Sequence, residues 1–338
     1  MHGKESENGQ SKNCTTSPPT MVPNKVTIWL TASDFQRYDG CCQRQPTSHG
    51  LSRSQMPEHS RLLVQRRRYI HDRWKRMHTW LPILCCWHQK APPPLDVDEP
   101  EHLADAVASM NLRHAVITVV NRDDLEDSAA DHYKQCIAAV AERCPEVSLE
   151  LLCSDLAGDL DDLAHLLEGS PLVVFAHNVE CVPRLDAIVR DPRASFAQSL
   201  SILREAKRLR PDMLTKSSLM VGVGETDEEI VEAMHLLRDA GVDLITIGQY
   251  LAPSKNHLAV DRFPEPELYD VWARQAIEMG FSGVASGPLV RSSYKAGLLM
   301  RKTLDESNTE EMPGAYVLVQ PKPTDQHALM PSHGEVEQ

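Results

Sequence analysis

Four short stretches of the chain combine residue types that bind ligands: Val174–Glu180, Thr215–Glu225, Gly248–Ser254 and Leu289–Gly297. In the first, the amide of Asn178 and the carboxylate of Glu180 can orient hydroxyl or amine groups, although an asparagine there also stabilises an ordinary turn. In the second, the glycines of Gly222–Glu225 let a backbone approach a ligand and expose N–H groups, and the alternative is a plain turn into a helix. These residue types indicate a ligand site built at loops.

Further candidates lie beside these stretches. Arg190 and Lys216 are cations that could hold a carboxylate, against the alternative of solvated surface charge. Gln249 and Leu251, with Tyr250 between them, could contact the edge and the face of a flat ring. The alternative for Tyr250 is the core, where an aromatic beside a strand more often packs.

The elements that must position these groups follow a repeated strand-then-helix pattern. Strands are predicted at His114–Val120, Val147–Leu152, Leu172–Ala176, Lys216–Val221, Asp243–Gly248 and Phe281–Ser286. Helices are predicted at Glu101–Met110, Ala129–Cys144, Asp161–Glu168, Arg193–Leu209, Asp227–Ala240 and Glu265–Met279, the fifth opened by Thr226 as N-cap with Glu229 three residues later. This repetition predicts an α/β fold with a parallel sheet, either a barrel or an open half-barrel, whose site lies at the carboxyl ends of the strands.

Composition bounds the function. The chain has 338 residues, 41% of them hydrophobic, and no apolar run of membrane length, which argues against a membrane span. A formal charge of -13 disfavours nucleic acid or an anionic membrane as partner. Nine cysteines without a secretory signal favour a reducing compartment, and Cys136, Cys144, Cys153 and Cys181 are expected to be buried and inert.

In order and spacing, the four stretches resemble lipoyl synthases, radical S-adenosylmethionine enzymes that insert sulfur into a protein-bound octanoyl chain. The resemblance runs from about Pro92 to Gly297. It implies a radical-SAM-type partial TIM barrel over residues 92–304, between an aberrant or disordered segment 1–91 and a disordered tail 305–338. The first barrel strand would fall inside the aberrant segment, and its disruption is expected to expose the edge of the neighbouring strand. The resemblance also implies two 4Fe-4S clusters and S-adenosylmethionine as cofactors.

The resemblance assigns roles to individual residues. In Arg291-Ser-Ser-Tyr294, Ser292 matches the serine that ligates the auxiliary cluster, and Arg291 belongs to the same catalytic motif; the alternative for Ser292 is a helix-capping serine. Lys216 and Ser218 fall in the segment beside the nucleoside, and the other cofactor-binding candidates are Asn178, Glu180, Arg190, Gln249 and Leu251.

The cysteine ligands of such a family are missing from the chain as written. The family has the triplets C-x4-C-x5-C and C-x3-C-x2-C before the barrel, whereas this chain has only the doublets Cys41-Cys42 and Cys85-Cys86 there. Neighbouring side chains of an extended segment point to opposite faces, so doublets make poor cluster ligands.

A shifted reading frame over residues 40–90 would restore both triplets. Met56 before Pro57 and Met77 before His78 must spell cysteine codons one base downstream. Four leucines do so only if their codons end in TG, and the six positions then match both spacings: Leu51, Met56 and Leu62, followed by Met77, Leu81 and Leu84. The alternative is a divergent N-terminal region in which these residues fall by accident.

One departure lies inside the matching region. Where the family has Asp-Arg-Asp-Asp-Leu and then an acidic residue and two glycines, this chain has Asn121-Arg-Asp-Asp-Leu125 and then Asp127-Ser-Ala-Ala130. Loss of the glycines is expected to close backbone space beside the methionine part of S-adenosylmethionine.

Two functions from different classes follow. The first is lipoyl synthase-like sulfur insertion, inactive in this chain as written, with an octanoylated carrier protein as substrate and ferredoxin or flavodoxin as electron donor; the carrier would be a lipoyl domain of a 2-oxoacid dehydrogenase or the glycine cleavage H protein. The second is a non-catalytic barrel that binds the octanoylated or lipoyl carrier. A cytoplasmic location is expected, with a mitochondrial or plastid matrix as the alternative.

Overall fold

Parallel strands alternating with helices form the body of the molecule. The computed structural model describes residues 27–30, 94–110, 112–255, 257–293, 296–304 and 316–319. Within them one sheet runs in the order β1 to β8, and β2 to β7 are mutually parallel. The strands are β1 Thr27–Leu30, β2 His114–Thr118, β3 Ser148–Leu152, β4 Val174–Ala176, β5 Leu214–Val221, β6 Leu244–Gln249, β7 Gly283–Gly287 and β8 Tyr316–Val319. All six predicted strands are confirmed, and so is the partial-barrel fold class.

The helices also follow the prediction, within a few residues at each end. They are α1 Glu99–Met110, α2 Ala130–Arg143, α3 Leu160–Leu167, α4 Asp186–Val189, α5 Phe196–Leu209, α6 Asp227–Asp239, α7 Pro266–Glu278 and α8 Ala296–Leu304. The capping box predicted for α6 is present, because the Thr226 hydroxyl accepts from the Glu229 amide and the Glu229 carboxylate accepts from the Thr226 amide. No described helix has the length and apolarity needed to span a membrane.

The two faces of the sheet differ in composition, as period-two alternation requires. Residues that face the helices are apolar and buried, including Ile117, Leu151, Phe175, Ile245 and Ile247. The inward positions between them are smaller or polar, as on β5, where Lys216 and Ser218 alternate with Leu219 and Val221. The outer face therefore holds most of the hydrophobic core, and the inner face carries polar groups beside a smaller apolar cluster.

Both edges of the parallel sheet carry an antiparallel strand. β1 pairs with β2, so the β2 edge that loss of a first barrel strand was expected to expose has a partner. β8 pairs with β7 and lies inside the segment 305–338. Neither pairing was predicted, because residues 27–30 and 316–319 lie in the segments that were expected to be aberrant or disordered.

Helix α8, which was not predicted, packs on the inner face. Leu299 and Met300 cluster with Val174, Leu244 and Ala285. Gly283 on β7 permits this contact, since a Cβ there would lie 3.0 Å from the Leu299 side chain. The open half-barrel is thus filled from inside by the chain's own helix.

The turn that replaces the two family glycines has a glycine-like backbone. Ser128 and Ala129 have φ values of 49° and 69°, in the left-handed region that disfavours residues with a Cβ. The Asp127 carboxylate accepts from the amides of Ala129 and Asp131 and so caps the start of α2. The turn conformation is kept at the cost of local strain.

We expect Ala129→Gly to leave the free energy of unfolding within about 0.5 kcal/mol of the parent, because relief of left-handed strain offsets the lost methyl burial and the added chain entropy. Ala138→Gly, at an exposed regular position of α2, should cost about 1 kcal/mol. Urea unfolding compares the two, and a larger loss for Ala129→Gly would show that this turn is not strained.

Candidate functional site

The carboxyl end of β4 brings Asn178 and Glu180 onto the inner edge of the sheet. After β4 the chain bulges and pairs again with β5, where the Glu180 amide donates to the Ser218 carbonyl and the Glu180 carbonyl accepts from the Met220 amide. Glu180 adopts a left-handed φ of 66° in doing so. Burial raises the pKa of Glu180, against the opposing effects of the Asn178 hydrogen bond and the Arg190 charge. The site therefore offers a carboxyl group that an added cation would readily ionise.

Arg190 supplies a buried cation beside this carboxyl group. Its side chain follows α4 and is only 5% exposed. The nearest carboxylate oxygen, Oδ1 of Asp186, lies 4.0 Å from Nη1, and that nitrogen is buried without a hydrogen-bond partner. A buried donor without a partner is rare, and one at the carboxyl edge of a parallel sheet suits a ligand carboxylate. The structure thus brings three predicted residues together: Asn178, Glu180 and Arg190.

Lys216 does meet a carboxylate, but it is one of the chain's own. Its Nζ donates to Oε1 of Glu150 at 2.7 Å, and both side chains are 2% exposed. Nε2 of His114 lies 3.4 Å from the other oxygen of Glu150. Burial would raise the pKa of Glu150, yet Lys216 and His114 outweigh it, so that this pKa lies below its usual range. Ser218, two residues further along β5, is buried on the same face.

The Gly222–Glu225 loop satisfies its own amides. The Glu225 carboxylate accepts from the Gly222 amide at 2.7 Å and from the Val223 amide at 2.9 Å. Both glycines have positive φ, 93° and 111°. These N–H groups are therefore engaged inside the loop, as in the simpler interpretation of a turn leading into α6.

Gln249 supports that loop. Its Nε2 donates to the carbonyls of Val221, Tyr250 and Arg262, and its Oε1 accepts from the Tyr269 hydroxyl at 3.0 Å. Tyr250 is buried in the core, and Leu251 after it is half-buried. Of the candidates for a flat ring, Leu251 alone presents a side chain that is neither fully buried nor hydrogen-bonded within the chain.

Arg291 and Ser292 lie beyond β7, next to the carboxyl end of β6. Arg291 is exposed and its Nη1 donates to the carbonyl of Val290 at 2.6 Å. Ser292 is half-buried, and Tyr294 lies outside the described residues. The serine is thus placed at the same edge of the sheet as Glu180.

The described cysteines do not fit an iron–sulfur cluster. Cys136, Cys144, Cys153 and Cys181 are buried and free, and burial raises the pKa of Cys136 and of Cys153 to about 12. They pack as small hydrophobic residues, as expected. Within the described ranges, no three His, Cys, Asp or Glu side chains are grouped to hold a metal ion. The doublets Cys41-Cys42 and Cys85-Cys86, and the six frame-shifted positions, lie outside those ranges.

Sequence reasoning missed Glu150 and His114. A signal was present, since Glu150 is the one charged residue of the run Ser148–Leu152 and faces away from Leu149 and Leu151. Its partner Lys216 is 66 residues away, so the pairing itself had no local signature.

Comparison with known proteins agrees with this fold. The Radical SAM superfamily model matches residues 70–248, more than half of the chain, and the chain belongs to that superfamily. The curated relatives it matches include lipoyl synthases. The mitochondrial enzyme of Trypanosoma brucei gambiense is 47% identical over 226 residues, 66% of this chain and 55% of that protein. The enzyme of Halorhodospira halophila is 52% identical over 202 residues, 60% of each chain.

The resemblance inferred from the motifs is thereby confirmed. The chain spans about 55 to 60% of the length of these two relatives. Among solved structures, methylornithine synthase is similar with a TM-score of 0.47 and 14% identity, over 61% of this chain and 59% of that one.

We expect Lys216→Met to lower the free energy of unfolding by about 3–5 kcal/mol, because it leaves the buried Glu150 carboxylate without its counter-charge. The double variant Glu150→Gln/Lys216→Met should recover a large part of that loss. Urea unfolding at pH 7 measures both, and Glu205→Gln in the exposed pair with Arg208 serves as a control with little effect. Equal losses in single and double variants would contradict a buried ion pair.

The pKa of Glu150 also sets a pH dependence. A carboxyl group whose pKa is lowered by folding adds stability above its unfolded pKa, and this stability is lost as the pH falls through the folded value. The parent should therefore lose more stability than Glu150→Gln as the pH falls below about 4. Parallel acid titrations followed by circular dichroism measure both losses. Equal losses in the parent and in Glu150→Gln would refute the prediction.

Proposed function

We propose that this chain is the barrel of a lipoyl synthase, the enzyme class that inserts sulfur into a protein-bound octanoyl group. The observation that carries the proposal is the 52% identity to the Halorhodospira halophila lipoyl synthase. The cluster of Asn178, Glu180 and Arg190 at the carboxyl edge of the sheet supports it, since this is where ligands of parallel βα folds bind. The partners are the octanoylated carrier domain and an electron donor such as ferredoxin or flavodoxin.

Three described residues would hold S-adenosylmethionine, which supplies the radical in this superfamily. The unpartnered Nη1 of Arg190 suits its carboxylate. The carboxyl group of Glu180, oriented by Asn178, suits its ammonium group. Lys216 and Gln249 would not contact this ligand. Lys216 pairs with Glu150, and Gln249 supports the Gly222–Glu225 loop.

We further propose that the chain as written does not complete the reaction. The printed sequence contains neither C-x4-C-x5-C nor C-x3-C-x2-C, and the described cysteines are buried and protonated. The frame shift over residues 40–90 accounts for this, because it turns six residues at the two family spacings into cysteines.

The coding DNA tests the frame shift. The codons of Leu51, Leu62, Leu81 and Leu84 should all end in TG. Any one of the four with another ending breaks a triplet and would refute the hypothesis.

Expression of the frame-restored chain tests the activity. It should be brown, bind iron in the amount of two 4Fe-4S clusters, and form lipoyl groups on an octanoylated carrier domain, as followed by mass spectrometry. The chain as written should be colourless and inactive. A restored protein without iron or product would disprove the proposed function.

The serine assignment has a matched control in the restored chain. Ser292→Ala should lose the auxiliary cluster and product formation, whereas Ser293→Ala, one residue along and also half-buried, should keep both. Equal behaviour of the two variants would remove the role of Ser292.

A non-catalytic carrier-binding barrel is the second candidate. It is favoured by the presence of an ordered barrel in a sequence without cluster triplets. Capture of an octanoylated lipoyl domain or H protein by the chain as written, without iron, would support it, and absence of capture would argue against it.

The proposed cellular location is taken from the relatives. Several of them are named mitochondrial, those of Trypanosoma brucei gambiense and Branchiostoma floridae among them. We therefore favour the mitochondrial matrix over the cytoplasm first expected, and microscopy of a tagged protein tests it.

A further inference from the structure

The segment that carries Ser292 touches the sheet through backbone at its start. The carbonyl of Val290 lies against Gly248 on β6, and an ideal Cβ on that glycine would be 2.2 Å from Val290 O and 3.1 Å from Val290 C. Contacts below 3.0 Å do not occur for real Cβ atoms, and a backbone carbonyl cannot rotate away as a side chain can. Any side chain at 248 must therefore displace Val290, two residues before Ser292.

The same segment is held a second time at its far end. Gly297, in the first turn of α8, lies over His114 of β2, and a Cβ on it would be 2.9 Å from the Cβ of His114. His114 is fully buried and its ring is fixed by Ser148, 2.9 Å from Nδ1 to Oγ. The segment thus runs between β6 and β2 with a close contact at each end.

Space is the reason for glycine at both positions. Neither Gly248 nor Gly297 is among the described glycines with positive φ, so other residues could adopt their backbone angles. The need for glycine lies in the neighbouring atoms instead.

We propose that Gly248 and Gly297 form a glycine clamp that positions Ser292, and that both are positioning residues. The role of Ser292 as a ligand rests on the proposed function, whereas the clamp itself does not. A serine ligand must lie within about 0.5 Å of its productive place. The contact of Gly248 with the Val290 backbone and the contact of Gly297 with the His114 Cβ restrict that place from both sides.

Hydrogen exchange on the chain as written tests the clamp without iron. In Gly248→Ala and in Gly297→Ala, amides of residues 290–297 should exchange roughly ten- to a hundredfold faster than in the parent. Amides of β5 to β7 should change much less. Gly169→Ala is the matched control, because its φ of 66° makes a Cβ strained while no atom lies within 4 Å of it. It should leave the 290–297 amides at the parental rate.

Three results would overturn the clamp. They are unchanged exchange in 290–297, an equal increase throughout the sheet, and loss of folding in either variant, since the last two show that the glycines support the sheet rather than the segment. In the frame-restored chain, Gly248→Ala should weaken the absorbance of the auxiliary cluster in the same way as Ser292→Ala. If exchange behaves as expected but the restored parent stays colourless, the clamp stands and the proposed function fails.

Discussion

The ion pair between Lys216 and Glu150 is the constraint on which the inner face of the barrel depends. The two residues lie on β5 and β3, with β4 between them, so their side chains must span about 9–10 Å across one strand. Ala176, the register partner of Lys216, is small enough to let the ammonium group pass. Two charges this deeply buried are tolerated only as a pair, which fixes the relative position of three strands and makes the floor of the site rigid.

Local periodicity explains how much of the fold could be predicted. The six parallel strands and six of the helices follow from alternation and helical spacing, and both are properties of neighbouring residues. The partners of Lys216 and Gln249 could not be predicted, because Glu150 and Arg262 approach only through the barrel. Asn178 and Glu180 became candidates because strand ends converge in any parallel sheet, whereas Arg190 was a candidate only as a cation that could hold a carboxylate. α8 was missed because the segment that precedes it had been interpreted first as a catalytic motif, and the helix-capping alternative for Ser292 was not extended into a predicted helix.

The described cysteines belong to the hydrophobic core of the barrel and not to a metal site. The hydrophobic core is made by the outward faces of β2 to β7 and the helices, and the four described cysteines contribute only as small apolar side chains. Because no described core position requires a thiolate, the apolar patterning builds the barrel in a sequence that contains neither cysteine spacing. Resemblance in the barrel therefore establishes the superfamily, while the capacity for radical chemistry depends on residues elsewhere.

His114 joins the two devices that shape the inner face. One side of its ring faces Glu150 of the buried pair, and its Cβ supports Gly297 of the glycine clamp. The position of Ser292 is therefore coupled through α8 to the floor of the barrel, and through Gly248 to its carboxyl edge. A ligand held by Glu180 and Arg190 at that edge would meet a serine segment whose place is set by the same sheet. Both contacts involve backbone or Cβ atoms, which cannot move aside as the end of a side chain can. The position of Ser292 therefore depends on glycine at 248 and 297.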